Sequence, residues 1–220
     1  MDRITQQAIA IGLFVYCLPI GLVSLCIFHF LIKVPALSLL PVSHQKRLYW
    51  VANDFSFWSL RRFLLITISI LLGAFTHISW DSFTHAQGWM VQQFIILRSP
   101  VVGLQSVPLF EFLQDGSTLF GGVLLFYWYV KWYRSAKSFP VPQNVTTAAS
   151  VKSIILIVMS SIALVIAIFS GLTTFSEIQT SFYRRLFNGH IFVVSISTFI
   201  LELMVFGAYW HSRLKKKNAL

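Results

Sequence analysis

The chain contains a long run without a charged side chain, IILIVMSSIALVIAIFSGLTTF (Ile154–Phe175). At a rise of about 1.5 Å per residue, a helix of this length crosses the roughly 30 Å hydrocarbon core of a bilayer. The whole chain has the matching composition, with 56% hydrophobic and 11% charged residues among 220, and a mean hydropathy of +0.74. Such values are typical of integral membrane proteins.

Four more apolar windows are long enough, or nearly long enough, to span a membrane. The spans that we predict are Ala8–Ile32, Phe63–Trp80, Ser117–Tyr133, Ile154–Phe175 and Ile191–Trp210. The third is the weakest, because Gly121, Gly122 and Lys131 shorten its apolar stretch. Backbone groups in lipid must be satisfied within the segment, and no alternating pattern suggests a barrel. The sequence therefore predicts an all-α polytopic transmembrane helical bundle of about five spans, forming one integral membrane domain over residues 1–220.

The positive side chains predict the orientation of the bundle. Of the 17 Lys and Arg, 13 follow the first and third spans or lie in the C-terminal tail, and four lie on the opposite side, namely Arg3, Arg98, Arg184 and Arg185. Positive residues near span ends are retained in the cytoplasm. We therefore expect the N-terminus outside and the C-terminus in the cytoplasm. The net charge of +10 is explained better by anionic lipids of the bilayer than by nucleic acid, because the positive residues border the spans.

A polar cluster, THISWDSFTHAQGW (Thr76–Trp89), begins near the end of the second span, on the predicted outer face. His77, Asp81 and His85 are spaced by four residues, so they line one face of a continuing helix. Imidazole and carboxylate groups at this spacing suit zinc or another divalent metal. Three ligands from one straight helix would strain a tetrahedral site. We therefore expect two of them to bind and another element to complete the coordination shell.

The same outer side offers further ligands. His190 opens the last span at the right level, although a lone histidine at a helix start is more often interfacial. Glu111 and Asp115 precede the third span, where a solvated helix face explains them about as well. For the cluster itself, the alternative is that Asp81 ends or restarts a helix among interfacial aromatic residues. Ionisable groups at membrane depth are expensive, which favours a functional interpretation.

Glu202 lies near the middle of the last predicted span. Ser195 and Thr198 fall roughly on its face of the helix. A carboxyl group at this depth is expected to be protonated or paired. Its simplest role is an interhelical hydrogen bond that holds the bundle together.

Four segments carry a family resemblance: GLFVYCLPIGL (Gly12–Leu22), the Phe28-His29 pair, GAFTHISWDSFTHAQGW (Gly73–Trp89) and LQDGSTLFGG (Leu113–Gly122). They resemble the uncharacterised bacterial membrane family called domain of unknown function 4184, over about Ile11–Tyr133 and more loosely beyond. The resemblance implies a bacterial inner-membrane protein and brings no established activity. The His-x3-Asp element is also similar to motifs of inner-membrane proteins proposed to be metal-dependent hydrolases. The family pattern further implies an N-terminal segment with Ser-His-Pro and Pro-Asp elements, which this sequence does not contain, so we expect a shortened N-terminus.

Two hypotheses of function follow. In the first, a divalent metal held by His77 and Asp81, with His85 or His190, activates a water and polarises an oxygen of a lipid or lipid-linked ester or phosphate. His77 and Asp81 are then the candidate catalytic residues. In the second, the protein is not an enzyme but an assembly component, or a small transporter that uses Glu202 for protons. Broken helices and inverted repeats, which mark many transporters, are not evident in the sequence.

Overall fold

The structure, a computed structural model, describes residues 11–53, 59–101, 107–142, 147–174 and 181–218, with the backbone alone for 181–186, 188 and 214–218. The helices are α1 (Leu13–Leu39), α2 (Val42–Asn53), α3 (Leu60–Thr84), α4 (Trp89–Gln93), α5 (Ile95–Arg98), α6 (Leu109–Ser135), α7 (Ala149–Thr174) and α8 (Ser181–Asn218). The described part of the chain forms no strand beyond an isolated bridge between Pro100 and Pro108. The predicted all-α class is confirmed, and each predicted span coincides with a helix. The predicted ends at Ala8 and Phe175 lie outside the described residues.

Four helical stretches are long and apolar enough to cross a membrane by length and composition. They are Leu13–Leu39, Leu60–Gln93, Ala149–Thr174 and Gly189–Arg213. Helix α6 contains the predicted third span and is 27 residues long, about 40 Å at 1.5 Å per residue. It is not among the four, because its glycines and its aromatic side chains with polar tips lower its hydropathy. The crossing of the membrane by α6 stays a prediction.

Helix α1 contains two π-helical stretches, Leu13–Cys17 and Phe28–Ile32. A proline follows each of them, Pro19 and Pro35. A proline ring clashes with the carbonyl group four residues earlier, and proline has no N–H to donate to it. Those carbonyls belong to Val15 and Leu31, which lie inside the two π-helical stretches. Each stretch of wider π turns therefore separates the proline ring from the carbonyl with which it would otherwise clash.

The contacts of the chain group it into two compact units, and α1 contributes to both. Unit 1 comprises Met1–Ser24 and Ser56–Ala136, and unit 2 comprises Leu25–Phe55 and Lys137–Leu220. The prediction of a single domain stays a prediction. In unit 1, α3 packs against the first turns of α1 and against α6. The contact with α1 is close at Gly21, where an added Cβ would lie 2.9 Å from Cγ2 of Ile70.

Unit 2 is built on the antiparallel pair α7 and α8, with the second half of α1 against α8. The buried residues of α7 include Ala163, Ala167 and Gly171, spaced by four. Small residues at this spacing let helix backbones approach closely in membranes. An even closer approach occurs at Gly207 of α8, where an added Cβ would lie 2.4 Å from the carbonyl oxygen of Leu31. Only glycine fits that position without movement of α1 or α8.

The end of α1 is capped by side chains from other elements of unit 2. Gln45 of α2 is 1% exposed, and its Nε2 donates to three backbone oxygens, those of Leu37, Ser38 and Leu40, at 3.0, 3.0 and 3.1 Å. The Nζ of Lys152, from α7, donates to the same oxygen of Leu40 at 2.9 Å. The last carbonyl groups of a helix lack partners within the helix. These two side chains satisfy them and place a positive charge at the negative end of the helix dipole.

Candidate functional site

The histidines of the predicted cluster both face Asp81. The Nε2 of His77 lies 3.4 Å from Oδ2 of Asp81, and the Nδ1 of His85 lies 3.6 Å from Oδ1. These distances are ion-pair rather than hydrogen-bond distances. The side chains are open to the surroundings, with 76% of His77, 53% of His85 and 36% of Asp81 exposed. Two imidazoles thus bracket one carboxylate on an accessible surface of unit 1.

Asp81 sits in the last turn of α3, which ends at Thr84. A negative charge near the C-terminus of a helix is unfavourable by about 0.3–1 kcal/mol, because the helix dipole is negative there. Asp81 thus lies three residues before the end of the helix, and its carbonyl accepts the N–H of the residue that follows the helix, His85. The side chains that flank this carboxylate are the imidazoles of His77 and His85. Because the helix dipole disfavours a carboxylate here, the position of Asp81 indicates a role other than helix stability.

The chain immediately after α3 folds back tightly onto the cluster. The N–H of His85 donates to the carbonyl of Asp81 at 3.0 Å, and the N–H of Gly88 donates to the carbonyl of His85 at 2.7 Å. An added Cβ at Gly88 would lie 2.4 Å from the carbonyl oxygen of Ser82. Glycine is therefore required where the turn crosses the end of α3. This turn fixes His85, which has already left the helix, beside Asp81.

The cluster is also braced by its neighbours within unit 1. The indole Nε1 of Trp80 donates to Oγ of Ser117 at 3.2 Å, which joins α3 to α6. Thr84 is 1% exposed and donates through Oγ1 to the carbonyl of Trp80 at 3.1 Å. The Oγ1 of Thr84 also lies 3.4 Å from Nδ1 of His85. The helix end that bears the cluster is thereby joined to α6 at Trp80, and the contacts of Thr84 are local to the helix end.

The other predicted ligands belong to other helices. The Nε2 of His190, in unit 2, lies 2.9 Å from Oγ of Ser170, a hydrogen bond between α8 and α7. Glu111 is in the first turn of α6, and Asp115 follows one turn later. Within the described ranges no three His, Cys, Asp or Glu side chains converge closely enough to hold a metal ion. The predicted completion of the shell by another element is therefore not seen there.

Glu202 lies on α8 and lines a groove of about 690 Å³ between α7 and α8. Both of its carboxyl oxygens are shielded from solvent and have no hydrogen-bond partner among the described residues. Thr198 lines the same groove, and Ser195 lines a second groove of about 380 Å³ between the two helices. The predicted interhelical hydrogen bond of Glu202 is thus not formed within the described part of the chain.

A model of the family described as domain of unknown function (DUF4184) matches residues 5–208. The chain belongs to the DUF4184 family. The match confirms the resemblance drawn from the sequence motifs and extends it beyond Tyr133 into α8. A search of the curated proteins and a search of the solved structures find no match.

Several residues that shape this DUF4184 protein were not found from its sequence. Gly88 had an available signal, because a glycine after a short polar segment marks a turn. No sequence signal marks Gln45 or Lys152. Their partners are carbonyl groups at the end of α1, and only folding brings these two side chains to that helix end. From the sequence alone, Lys152 is recognisable only as a positive charge near a span.

Proposed function

We propose that this protein is a membrane hydrolase that binds a divalent cation through His77 and Asp81. The observation that supports the proposal is the 3.4 Å between Nε2 of His77 and Oδ2 of Asp81. Adjacent ligands of a tetrahedral zinc ion, each about 2.0–2.2 Å from the metal, are separated by about 3.4 Å. The two side chains are therefore spaced as neighbouring ligands. Helix α3, which carries them, is part of a stretch long and apolar enough to span a membrane.

Two protein ligands leave the remaining positions of the cation for water and substrate. A bound divalent cation would acidify a water and polarise an ester or phosphate oxygen. His85 lies on the other oxygen of Asp81 and is 53% exposed, so its imidazole is available to accept a proton from that water. Asp81 orients both imidazoles. The exposure of the cluster at a helix end suits a lipid or lipid-linked substrate, whose head group lies at the membrane surface.

Metal content tests the proposal. The full-length protein, purified in detergent and equilibrated with zinc, should retain about one zinc ion per chain. The variants His77→Ala and Asp81→Asn should lose it, while Asp115→Asn, a matched carboxylate on α6, should retain it. Release of phosphate or fatty acid from a membrane lipid extract should fall in the same two variants. Absence of bound metal from the wild type, or retention by Asp81→Asn, would overturn the proposal.

The orientation of the protein is a second part of the proposal. The distribution of positive residues in the sequence supports an inner-membrane protein with its N-terminus outside, its C-terminus in the cytoplasm and the His77 cluster at the outer face. A reporter fused after Leu220 should be active only when it is a cytoplasmic reporter. One inserted at Gln105 should be active only when it is an exported reporter. The opposite result at Leu220 would withdraw α6 as a span.

Glu202 supports an alternative function, that of a non-enzymatic assembly component or small transporter. A buried carboxyl group without a hydrogen-bond partner is expensive, so a partner from another membrane helix, or a proton, is expected to satisfy it. Glu202→Gln and Glu202→Leu separate the two roles. If Glu202 makes an assembly contact, Glu202→Gln should keep the contact, because glutamine still forms hydrogen bonds, and Glu202→Leu should lose it. Native gels report the assembly state of both variants. Proton transport is lost in both. If neither variant changes assembly or transport, the alternative is excluded.

A further inference from the structure

A cavity of about 410 Å³ lies in unit 2 between the second half of α1 and helix α2. Its walls are mostly apolar, with Leu37, Leu40, Leu48 and Val51 among the lining side chains. Its volume falls within the range of about 300–1,000 Å³ that is usual for ligand pockets. None of its lining residues belongs to the His77 cluster or to the groove of Glu202. Nothing in the proposed function uses it.

Lys33 is the cationic side chain in the wall of this cavity. Its Nζ donates to the carbonyl of Ala52, in the last turn of α2, at 2.6 Å. An ammonium group has three donors, so this bond leaves two of them for a ligand. No carboxylate of the described residues forms an ion pair with Lys33. The bond to Ala52 explains the position of the ammonium at a helix end, but it does not neutralise the charge.

Unit 2, which contains the cavity, has an excess of positive residues. Leu40, in the cavity wall, accepts the hydrogen bond of Lys152 through its carbonyl oxygen. By sequence, unit 2 contains eleven Lys and Arg against three acidic residues, Asp54, Glu177 and Glu202. A ligand of this cavity is therefore expected to carry a negative charge.

Helix α2 has the features of a helix at the membrane surface. It carries Tyr49 and Trp50, whose rings are in edge-to-face contact, and the indole Nε1 of Trp50 donates to the carbonyl of Pro140 at 3.2 Å. Lys46 is exposed. Aromatic and basic residues on one short helix are typical of the interface between head groups and acyl chains. A cavity lined by α2 is therefore expected to lie between the charged and the apolar layers of a bilayer.

We propose that this cavity binds an anionic phospholipid, with an acyl chain between α1 and α2 and the phosphate at Nζ of Lys33. The apolar walls suit the chain, and the ammonium, whose described partner is the neutral carbonyl of Ala52, suits the phosphate. A free phosphate ion does not fit the same walls, because it would lose hydration and gain few donors. A zwitterionic lipid lacks the net negative charge that the surroundings favour.

Lipid retention by the full-length protein tests the proposal. The protein, purified in neutral detergent, is given phosphatidylglycerol or phosphatidylcholine, and bound lipid is measured by native mass spectrometry. Wild type should retain phosphatidylglycerol and little phosphatidylcholine. Lys33→Met should weaken phosphatidylglycerol binding by about tenfold or more, through loss of a charge-assisted hydrogen bond. Lys33→Arg should restore binding, and Lys46→Met, a matched exposed lysine of α2, should leave it unchanged.

A second variant tests the cavity without altering charge. Ala36 lines it, and Ala36→Phe should fill it and reduce phosphatidylglycerol binding while Lys33 is retained. This variant decides the matter if Lys33→Met does not fold. Equal retention of the two lipids by wild type, equal losses in Lys33→Met and Lys46→Met, or normal binding by Ala36→Phe would each overturn the proposal. The result is independent of metal at His77, so the two proposals fail separately.

Discussion

The polar side chains of units 1 and 2 differ in their exposure and in their partners. In unit 1, His77, Asp81 and His85 interact with one another along a single helix end, and much of each side chain is exposed. In unit 2, Gln45 and Lys152 are buried and bind backbone carbonyls of a different helix. Gln45 and Lys152 thus join helices of unit 2, whereas we expect His77, Asp81 and His85 of unit 1 to be replaceable without loss of packing. Exposed polar residues that contribute little to folding stability are the candidates for a catalytic or binding role.

The largest effect on stability is expected at the closest helix contact of unit 2. Gly207→Leu places a side chain against the carbonyl of Leu31 and should cost about 3 kcal/mol or more, because overpacking forces the backbones apart. Gly189→Leu is the matched control on the same helix, since an added Cβ there meets nothing within 4 Å. Thermal unfolding in detergent measures both. Equal melting temperatures for the two variants would show that the contact is not tight.

Gln45 should rank next. Gln45→Leu removes the donor to three buried carbonyl oxygens and should destabilise the protein by about 1–3 kcal/mol. Gln92 is the counterpart in unit 1, since its Nε2 donates to a carbonyl, that of Ala86, at an exposed position. Gln92→Leu should cost well under about 1 kcal/mol, because water replaces the lost donor. The contrast between units is wrong if Gln92→Leu is the more damaging change.

Lys152 should have a smaller effect than Gln45. Lys152→Met keeps the length of the side chain and removes the charge at the end of α1, which should cost about 1 kcal/mol. Lys131→Met, at an exposed lysine of α6 in unit 1, is the control and should be nearly neutral. Hydrogen exchange of the amides at residues 37–45 should rise in Lys152→Met and not in the control. Unchanged exchange there would remove Lys152 from the cap.

The smallest effect is expected at the cluster of unit 1. Asp81→Asn should change the unfolding free energy by no more than about 0.5 kcal/mol, because exposed ion pairs contribute little. The melting temperature should therefore match that of the wild type while zinc binding is lost. A destabilisation of more than about 1 kcal/mol would make Asp81 a structural residue and end the distinction between the units.

The sequence predicted the long helices because apolar runs such as Ile154–Phe175 have no alternative to a helix in lipid. Their ends were not predicted, because the helices continue into polar residues beyond the apolar runs, as α8 does over Ser181–Asn218. The grouping of His77, Asp81 and His85 was also predictable, since residues four apart on a helix are neighbours whatever the rest of the fold does. Both inferences depend on local spacing, which a single sequence contains.

Contacts between segments far apart in the chain could not be predicted from the sequence. Nothing in the pattern around Lys152 indicates the carbonyl of Leu40, and nothing around Gly207 indicates Leu31, because such pairs depend on how helices pack. The predicted second span ended at Trp80, whereas α3 runs on to Thr84, and His85 lies just beyond the helix beside Asp81. The turn from His85 to Gly88 follows directly and is a local feature.

The contact between Leu31 and Gly207 bears on how the protein is made. Leu31 leaves the ribosome early, and Gly207 follows after roughly ten seconds or more at about 5–20 residues per second. Unit 1 has all its helices once Ala136 has been synthesised, whereas unit 2 must wait for α8. During that interval the carbonyl face of α1 around Pro35 has no protein partner from α8 and must be covered by lipid or by the insertion machinery. The docking of α8 against α1 at Leu31 and Gly207 is therefore a late step in the assembly of unit 2.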